Sequence, residues 1–136
     1  MTDRVFLDAN VLFSRAYLPA SRLADLWRLP DTTLLSSAYA VEEARRNLDE
    51  PKQREQLDRL LAQVEVVTSW PSAGLPRGIR LTDKDAPILL AAIEARATHL
   101  LTGDRQDFGH LFGRTVSEVE ILLPGDYLRR RNSSTR

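Results

Sequence analysis

Two acidic residues follow apolar runs of the sequence at the point where each run ends. Asp8 comes directly after residues 5–7, and Asp104 follows residues 100–102 after one glycine. Short apolar runs are typical of strands buried on both faces of a parallel sheet, and such sheets bind ligands beyond the carboxyl ends of their strands. A single aspartate there is often only a turn former or a helix cap. Because two aspartates share one predicted edge, the sequence predicts an acidic site.

A third acid opens a segment with strong helical character. Asp85 ends the pattern Thr82-x-x-Asp85, which is typical of a capping box, and Pro87 suits a first helical turn. Capping alone would therefore explain Asp85. A carboxylate in a first turn also projects from the positive end of the helix dipole, where negative charge is favoured. Asp83 competes with Asp85 for this role.

A fourth acid comes from the helix predicted over residues 38–48. At 100° per residue, Glu43 falls near the border of the buried stripe, whereas Glu42 points away from it together with Arg46. The sequence therefore favours Glu43 as the site residue and Glu42 as a solvated charge. The stripe consists of small and apolar residues, namely Ala40, Val41, Ala44 and Leu48.

Carboxylates without cysteine or histidine partners suit hard cations that prefer oxygen ligands. The chain has no cysteine, so Mg²⁺ or Mn²⁺ is the expected ion and Zn²⁺ is not. Asn10 could donate to an oxygen of Asp8 or to a metal-bound water, although a helix cap is equally natural there. Ser37 and Thr102 have the same ambiguity.

The two histidines suggest a different chemistry, in which imidazoles act as general acid and base without a metal. His99 enters a predicted buried strand, and His110 lies near Phe108 and Phe112 in the sequence. Packing and hydrogen bonding explain both histidines, so the acidic site is the stronger prediction.

Strands that alternate with helices predict an α/β sandwich around a mainly parallel sheet of four or five strands. We expect a broken helix or two short ones across residues 11–29, with Pro19 at the break, and a loop over residues 70–80. Further helices are expected at 38–48, from Pro51 onward and at 86–97. The predicted strands are 5–7, 34–35, 64–67, 100–102 and 119–122.

The bulk composition is that of an ordinary folded protein of one domain. The chain has 136 residues, of which 43% are hydrophobic and 28% charged, and its formal net charge is zero. We expect one domain over residues 1–128, followed by a basic, flexible tail over 129–136. The beginning of the sequence does not resemble a signal peptide and no stretch suits a membrane span, so we expect no membrane association and a cytoplasmic location.

These segments together resemble the PIN domain, the family that includes the VapC-like toxins of bacterial toxin–antitoxin pairs. In that resemblance a serine, then a glutamate six residues later, then a leucine five later match Ser37, Glu43 and Leu48. The acid of the third motif matches Asp85, and that of the fourth matches Asp104. An extra acid such as Asp107 is common in the family. The resembling segments cover nearly the whole chain: 5–12, 37–48, 83–92, 101–108 and 119–128.

The resemblance implies a three-layer PIN-like sandwich whose pocket binds Mg²⁺ or Mn²⁺. Asp8, Glu43, Asp85 and Asp104 would be its ligands and catalytic residues, with Asp107 and Asp83 as further candidates. One or two ions would orient water for in-line hydrolysis of an RNA phosphodiester, leaving 5′-phosphate and 3′-hydroxyl ends. The resemblance also implies a toxin that forms a homodimer and binds a small protein antitoxin.

A second interpretation keeps the fold and omits the catalysis. The chain would then be a non-catalytic PIN-like module that binds RNA or acts as a regulatory interaction surface. All four acids are present at the motif positions, which favours the enzyme.

Overall fold

The computed structural model describes residues 2–18, 20–68, 70–71 and 73–134. Their strands form one sheet in the order β3-β2-β1-β4-β6-β5, in which every pairing is parallel except that between β5 and β6. This confirms the predicted α/β fold with a mainly parallel sheet, although the sheet has six strands. They are β1 (Asp3–Leu7), β2 (Thr32–Ser37), β3 (Val64–Val67), β4 (His99–Leu101), β5 (Thr115–Val116) and β6 (Val119–Leu122).

Helices connect the strands and flank the sheet. The predicted broken helix is an α-helix followed by a 3₁₀ helix at Arg22–Arg28, and Pro19, where we expected the break, lies outside the described residues. A second 3₁₀ helix covers Gly109–Leu111. The α-helices are α1 (Ala9–Tyr17), α2 (Ala38–Asn47), α3 (Pro51–Leu61), α4 (Ala86–Glu94), α5 (Arg105–Phe108) and α6 (Pro124–Ser134).

The position of β1 in the sheet explains its apolar sequence. It lies between β2 and β4, and Val5, Phe6 and Leu7 are completely buried. Leu7 pairs with Leu101 in the parallel register, and the backbone N–H of Asp8 donates to the Leu101 carbonyl at 3.1 Å. Because of this register, β1 and β4 end at the same edge of the sheet, and the residues that follow them lie there together.

The sixth strand was not predicted from the sequence. Thr115–Val116 is only two residues long and joins β6 through a tight turn at Ser117 and Glu118. Both turn residues have positive φ, 47° and 73°. Hairpins with two such residues usually carry Asn or Gly at these positions, so the sequence lacked the customary turn signal.

Residues 129–134, for which we predicted a flexible tail, continue α6. Arg131 holds this helix against the sheet, because its guanidinium donates to Asp3 Oδ2 at 3.3 Å and to Thr32 Oγ1 at 2.9 Å. Tyr127, buried on the same helix, also donates to Asp3 Oδ2, at 2.6 Å. Within the described part of the chain, no helix has the length and apolar character needed to cross a membrane.

Candidate active site

Asp8 lies at the carboxyl end of β1 and is almost completely buried, with 3% of its surface exposed. One carboxylate oxygen accepts a hydrogen bond from the backbone N–H of Ala9 at 2.6 Å, so Asp8 caps α1. The other oxygen accepts from Asn10 Nδ2 at 3.0 Å and from Thr102 Oγ1 at 2.8 Å. Three donors therefore fix the orientation of this buried carboxylate.

Asp104 reaches the same edge through the turn that follows β4. Its backbone N–H donates to Thr102 Oγ1 at 3.1 Å, and its Oδ1 accepts from the backbone N–H of Asp107 at 3.0 Å. The N–H of Gly103 donates to Asn10 Oδ1 at 2.8 Å, and a Cβ at Gly103 would come within 3.3 Å of that oxygen. A side chain at position 103 would therefore require Asn10 to move, and the hydrogen bond between Gly103 and Asn10 joins the two strand ends.

Asp85 is buried at the start of α4, with 6% of its surface exposed. Its Oδ2 accepts from the Thr82 hydroxyl at 2.8 Å, and its own N–H donates to that hydroxyl at 3.2 Å. The Asp85 side chain makes no capping hydrogen bond to the backbone of α4. The bond from its N–H to the Thr82 hydroxyl is the one that the capping-box pattern predicts, so Asp85 belongs to the start of α4 and also lines the cleft. The neighbouring Asp83 is exposed and does not line the cleft that contains Asp85.

The predicted acids converge on an open cleft of about 710 Å³. Glu43 enters this cleft from α2, whereas Glu42 is exposed and lies outside it. Lys84 Nζ lies 3.6 Å from Glu43 Oε1 and brings a positive charge to the rim. The cleft is lined by Asp8, Ala9, Asn10, Phe13, Ser14, Glu43, Asn47, Lys84, Asp85, Gly103 and Asp104.

Three carboxylates form the tightest acidic group among the described residues. Asp85, Asp104 and Asp107 each offer one oxygen, and these oxygens lie within 4.8 Å of one another. The four acids emphasised in the sequence interpretation thus share one cleft, but the compact group includes Asp107 in place of Asp8 and Glu43. Asp107 is brought close by its N–H contact with the Asp104 carboxylate.

The charge balance of the cleft favours a bound cation. Burial raises the pKa of Asp8, with smaller contributions from the charges of Glu43 and Asp104, although the bonds from Thr102 and Ala9 act in the opposite direction. Burial, followed by a hydrogen bond with Asp107, raises the pKa of Asp85 to about 6. A divalent ion would relieve this crowding of carboxylates, and oxygen donors alone suit Mg²⁺ or Mn²⁺.

Other residues predicted for the site lie elsewhere. Ser37 accepts from the backbone N–H of Ala40 at 3.1 Å and caps α2, outside the lining of the acidic cleft. His99 lies within 2.8 Å of Thr98 Oγ1 and packs against Tyr127, and burial lowers its pKa. His110 lies 3.0 Å from the Arg80 carbonyl. Since neither histidine lines the cleft, its geometry does not favour imidazole catalysis.

The fold and the acidic cleft define the class of protein. The chain matches the PIN domain family over residues 4–106, and it belongs to that family. None of the curated proteins compared with it matches.

Solved structures with the same fold are similar to nearly the whole chain. VapBC2 from Rickettsia felis, bound to a DNA fragment from its promoter, has 16% identity and a TM-score of 0.65, covering 87% of this chain and 96% of that one. VapBC-1 from nontypeable Haemophilus influenzae has 15% identity and a TM-score of 0.60, with 90% and 98% covered. FitAcB from Neisseria gonorrhoeae has 19% identity and a TM-score of 0.52, with 89% and 98% covered.

Proposed function

We propose that this chain is a metal-dependent endoribonuclease that hydrolyses RNA phosphodiester bonds. The observation that carries the proposal is the convergence of Asp8, Glu43, Asp85 and Asp104 on one cleft, with Asp107 beside the last two. PIN domains are generally nucleases, and those nucleases typically use divalent metals. The cleft provides the donor set that such chemistry requires.

The acids of the cleft have different roles in this proposal. Asp85, Asp104 and Asp107 are close enough to share one Mg²⁺ or Mn²⁺ ion. Asp8 and Glu43 line the same cleft and can hold a second ion or accept a proton from the attacking water. When bound, the metal would act as a Lewis acid that stabilises negative charge on the phosphate oxygens, and it would lower the pKa of a bound water molecule.

Other side chains position these acids and the substrate. Asn10 and Thr102 donate to Asp8 Oδ2 and hold the carboxylate toward the cleft. Lys84 lies at the exposed rim beside Glu43, where its ammonium can contact a phosphate of the substrate. Water is the nucleophile, so the reaction requires no covalent intermediate with the protein and leaves 5′-phosphate and 3′-hydroxyl ends.

We further propose that the nuclease acts as the toxin of a bacterial toxin–antitoxin pair. The similar structures are described as VapBC and FitAcB, and that of Rickettsia felis as bound to promoter DNA. The antitoxin partner is the part that these descriptions support; we also propose, from the resemblance of the sequence to VapC-like toxins, that the chain is a cytoplasmic homodimer. The toxin proposal predicts that expression of the chain arrests growth and that a small reading frame adjoins its gene, whose co-expression restores growth. Unimpaired growth on expression of the chain would contradict it.

The nuclease proposal is tested with labelled single-stranded RNA and DNA of the same mixed sequence. The purified chain should cut the RNA in Mg²⁺ or Mn²⁺, leave 5′-phosphate ends, and stop in excess chelator. Asp8→Asn protein purified in parallel controls for contaminating ribonucleases. Equal cleavage by the parent and this variant, or full activity in chelator, would contradict the proposal.

A further inference from the structure

A second concave surface lies beside the acidic cleft and is mainly apolar. We call it the aromatic groove; its volume is about 420 Å³. Trp70 is 66% exposed, and its ring forms a T-shaped pair with that of Tyr39, with ring centroids 5.6 Å apart and an interplanar angle of 74°. Trp70 is the most exposed large hydrophobic residue in the described part of the chain. The groove is lined by Ser37, Ala38, Tyr39, Glu42, Arg46, Val67, Thr68, Trp70, Pro71, Pro87 and Ala91.

The aromatic groove and the acidic cleft share a wall. The Tyr39 hydroxyl donates to the Lys84 carbonyl at 2.8 Å, and the Lys84 ammonium lies 3.6 Å from Glu43 in the cleft. Pro87, which lines the groove, comes two residues after Asp85, which lines the cleft. The two depressions are therefore adjacent on the surface.

The order of the strands also places the aromatic groove next to the acidic cleft. The cleft lies beyond the carboxyl ends of β1 and β4, where Asp8 and Asp104 are found. The groove lies beyond the ends of β2 and β3, where it is lined by Ser37 and Val67. Because β2 is the neighbour of β1 in the sheet and neighbouring strands are about 4.8 Å apart, the two surfaces are consecutive along one edge.

The chemistry of the groove suits an unpaired nucleobase. Proteins hold bases of single-stranded RNA by stacking them on aromatic side chains, and Trp70 is a largely exposed aromatic residue in the groove. Arg46 brings a positive charge that can contact the backbone of the same nucleotide. Glu42 offers an acceptor for the N–H groups on the edge of a base. Charges of both signs beside an aromatic face match a nucleotide better than a purely apolar partner.

We propose that the aromatic groove binds the base of a nucleotide flanking the scissile phosphate, with that base stacked on Trp70. The inference rests on the proposed nuclease function and adds a substrate subsite to it. It also assigns Glu42 to base binding in the groove and not to metal binding in the acidic cleft. The substrate would be single-stranded at that nucleotide, because a paired base cannot enter the groove.

Cleavage kinetics test the subsite. On a single-stranded RNA, Trp70→Ala should raise KM by about tenfold or more, as expected for the loss of one stacked base, while kcat changes little. Trp70→Phe, which keeps an aromatic face, should retain most of the affinity. Leu18→Ala is the matched control, because Leu18 is 59% exposed and lies outside both depressions. An unchanged KM in Trp70→Ala alongside normal cleavage would overturn the subsite and leave the nuclease proposal standing.

Abasic substrates locate the contact. RNAs that lack one base at successive positions around the cleavage site should show a raised KM at one flanking position with the parent protein. Trp70→Ala should show no additional loss at that position, since the stacking partner is already missing. Additive losses at every position would show that Trp70 contacts no base and would overturn the proposal.

A binding measurement separates the subsite from the catalytic proposal. In the Asp8→Asn background, a single-stranded oligoribonucleotide should quench tryptophan fluorescence, and the quenching should disappear when Trp70 is replaced by Phe. The other tryptophan, Trp27, is partly buried and donates to the Leu60 carbonyl at 3.2 Å, so it serves as the internal reference. Quenching without cleavage by the parent would contradict the nuclease proposal and would still show that Trp70 contacts a base. Absence of quenching at saturating RNA would overturn the subsite.

Discussion

The Thr102 hydroxyl donates a 2.8 Å hydrogen bond to the buried Oδ2 of Asp8. The same hydroxyl oxygen accepts from Asn10 Nδ2 at 3.2 Å and from the Asp104 N–H at 3.1 Å. One side chain at the end of β4 therefore orients the acid that follows β1 and the backbone of the acid that follows β4. The distance between these two acids depends on a hydroxyl group that is itself outside the cleft lining.

Removing that hydroxyl should damage both stability and metal binding. Thr102→Val leaves the buried Asp8 carboxylate without one donor, so we expect a loss of about 1–3 kcal/mol in the free energy of unfolding. The Mg²⁺ concentration for half-maximal cleavage should rise, because the ionised form of Asp8 becomes less favourable. Urea denaturation and Mg²⁺ titration measure the two effects. Thr102→Ser, which keeps the hydroxyl, should stay close to the parent, and equal damage in both variants would contradict this role.

Neutralising either strand-end acid should abolish cleavage without unfolding the protein. Asp8→Asn and Asp104→Asn each remove a carboxylate from the cleft, and we expect rates at least about a hundredfold lower. Circular dichroism should show the native helix content. His99→Gln serves as the control, because His99 lies outside the cleft lining and should leave the cleavage rate nearly unchanged. A large loss in His99→Gln with activity retained in both Asn variants would favour imidazole catalysis.

The two neighbouring glutamates should affect different kinetic constants. Glu43 lies in the acidic cleft, so Glu43→Gln should lower kcat by about a hundredfold or more. Glu42 lies in the aromatic groove, so Glu42→Gln should act on KM and leave kcat close to that of the parent. Steady-state kinetics on one RNA substrate separate the two effects. A larger fall in kcat for Glu42→Gln would contradict the assignment of Glu43 to the catalytic cleft.

Local patterns were sufficient to predict most of the elements. The buried run at residues 5–7 predicted a central strand, and the helical register of α2 predicted which glutamate turns toward the buried side. The short strand β5 was not predicted, because two residues show no periodicity and the residues of its turn are unusual at positive φ. The helical structure of residues 129–134 was not predicted, because Arg131 contacts Asp3 and Thr32, which are far away in the sequence.

The site was predictable as a set of acids, but its internal geometry was not. Asp107 was only a second choice, since its closeness to Asp85 results from how α5 begins at Asp104. The aromatic groove was not foreseen at all, because Trp70 and Tyr39 lie 31 residues apart in the sequence. No local spacing relates two such residues, and only the order of β2 and β3 in the sheet brings them together.

Asp85 provides a test that links electrostatics to stability. Burial and the neighbouring Asp107 raise its pKa from the ordinary 3.8 to about 6. Between these two pH values the unfolded chain releases the Asp85 proton while the folded chain retains it. The unfolded state therefore binds fewer protons, and the free energy of unfolding falls as the pH rises. The penalty is complete above pH 6 and absent well below pH 4.

Asp85→Asn should remove this penalty in the metal-free protein. Asn cannot ionise, and its side-chain oxygen can still accept from the Thr82 hydroxyl. At pH 7 in chelator, we expect the variant to be more stable than the parent by about 1 kcal/mol, or roughly 4 °C in melting temperature. At about pH 3 the difference should nearly vanish, because the parent carboxyl is then protonated in both the folded and the unfolded chain. Asp83→Asn is the matched control, since Asp83 is exposed and does not line the cleft.

Metal should reverse the order of stability between the parent and Asp85→Asn. Millimolar Mg²⁺ binds the folded cleft and raises the melting temperature by mass action, and the parent has one more charged ligand than the variant. We therefore expect a larger Mg²⁺-induced rise in the parent, together with loss of cleavage in the variant. Melting curves of the parent, Asp85→Asn and Asp83→Asn, recorded with and without Mg²⁺, measure both the metal-free stability and the rise in melting temperature caused by Mg²⁺. If Asp85→Asn is less stable without metal and gains as much from Mg²⁺ as the parent, Asp85 is a structural residue and not a metal ligand.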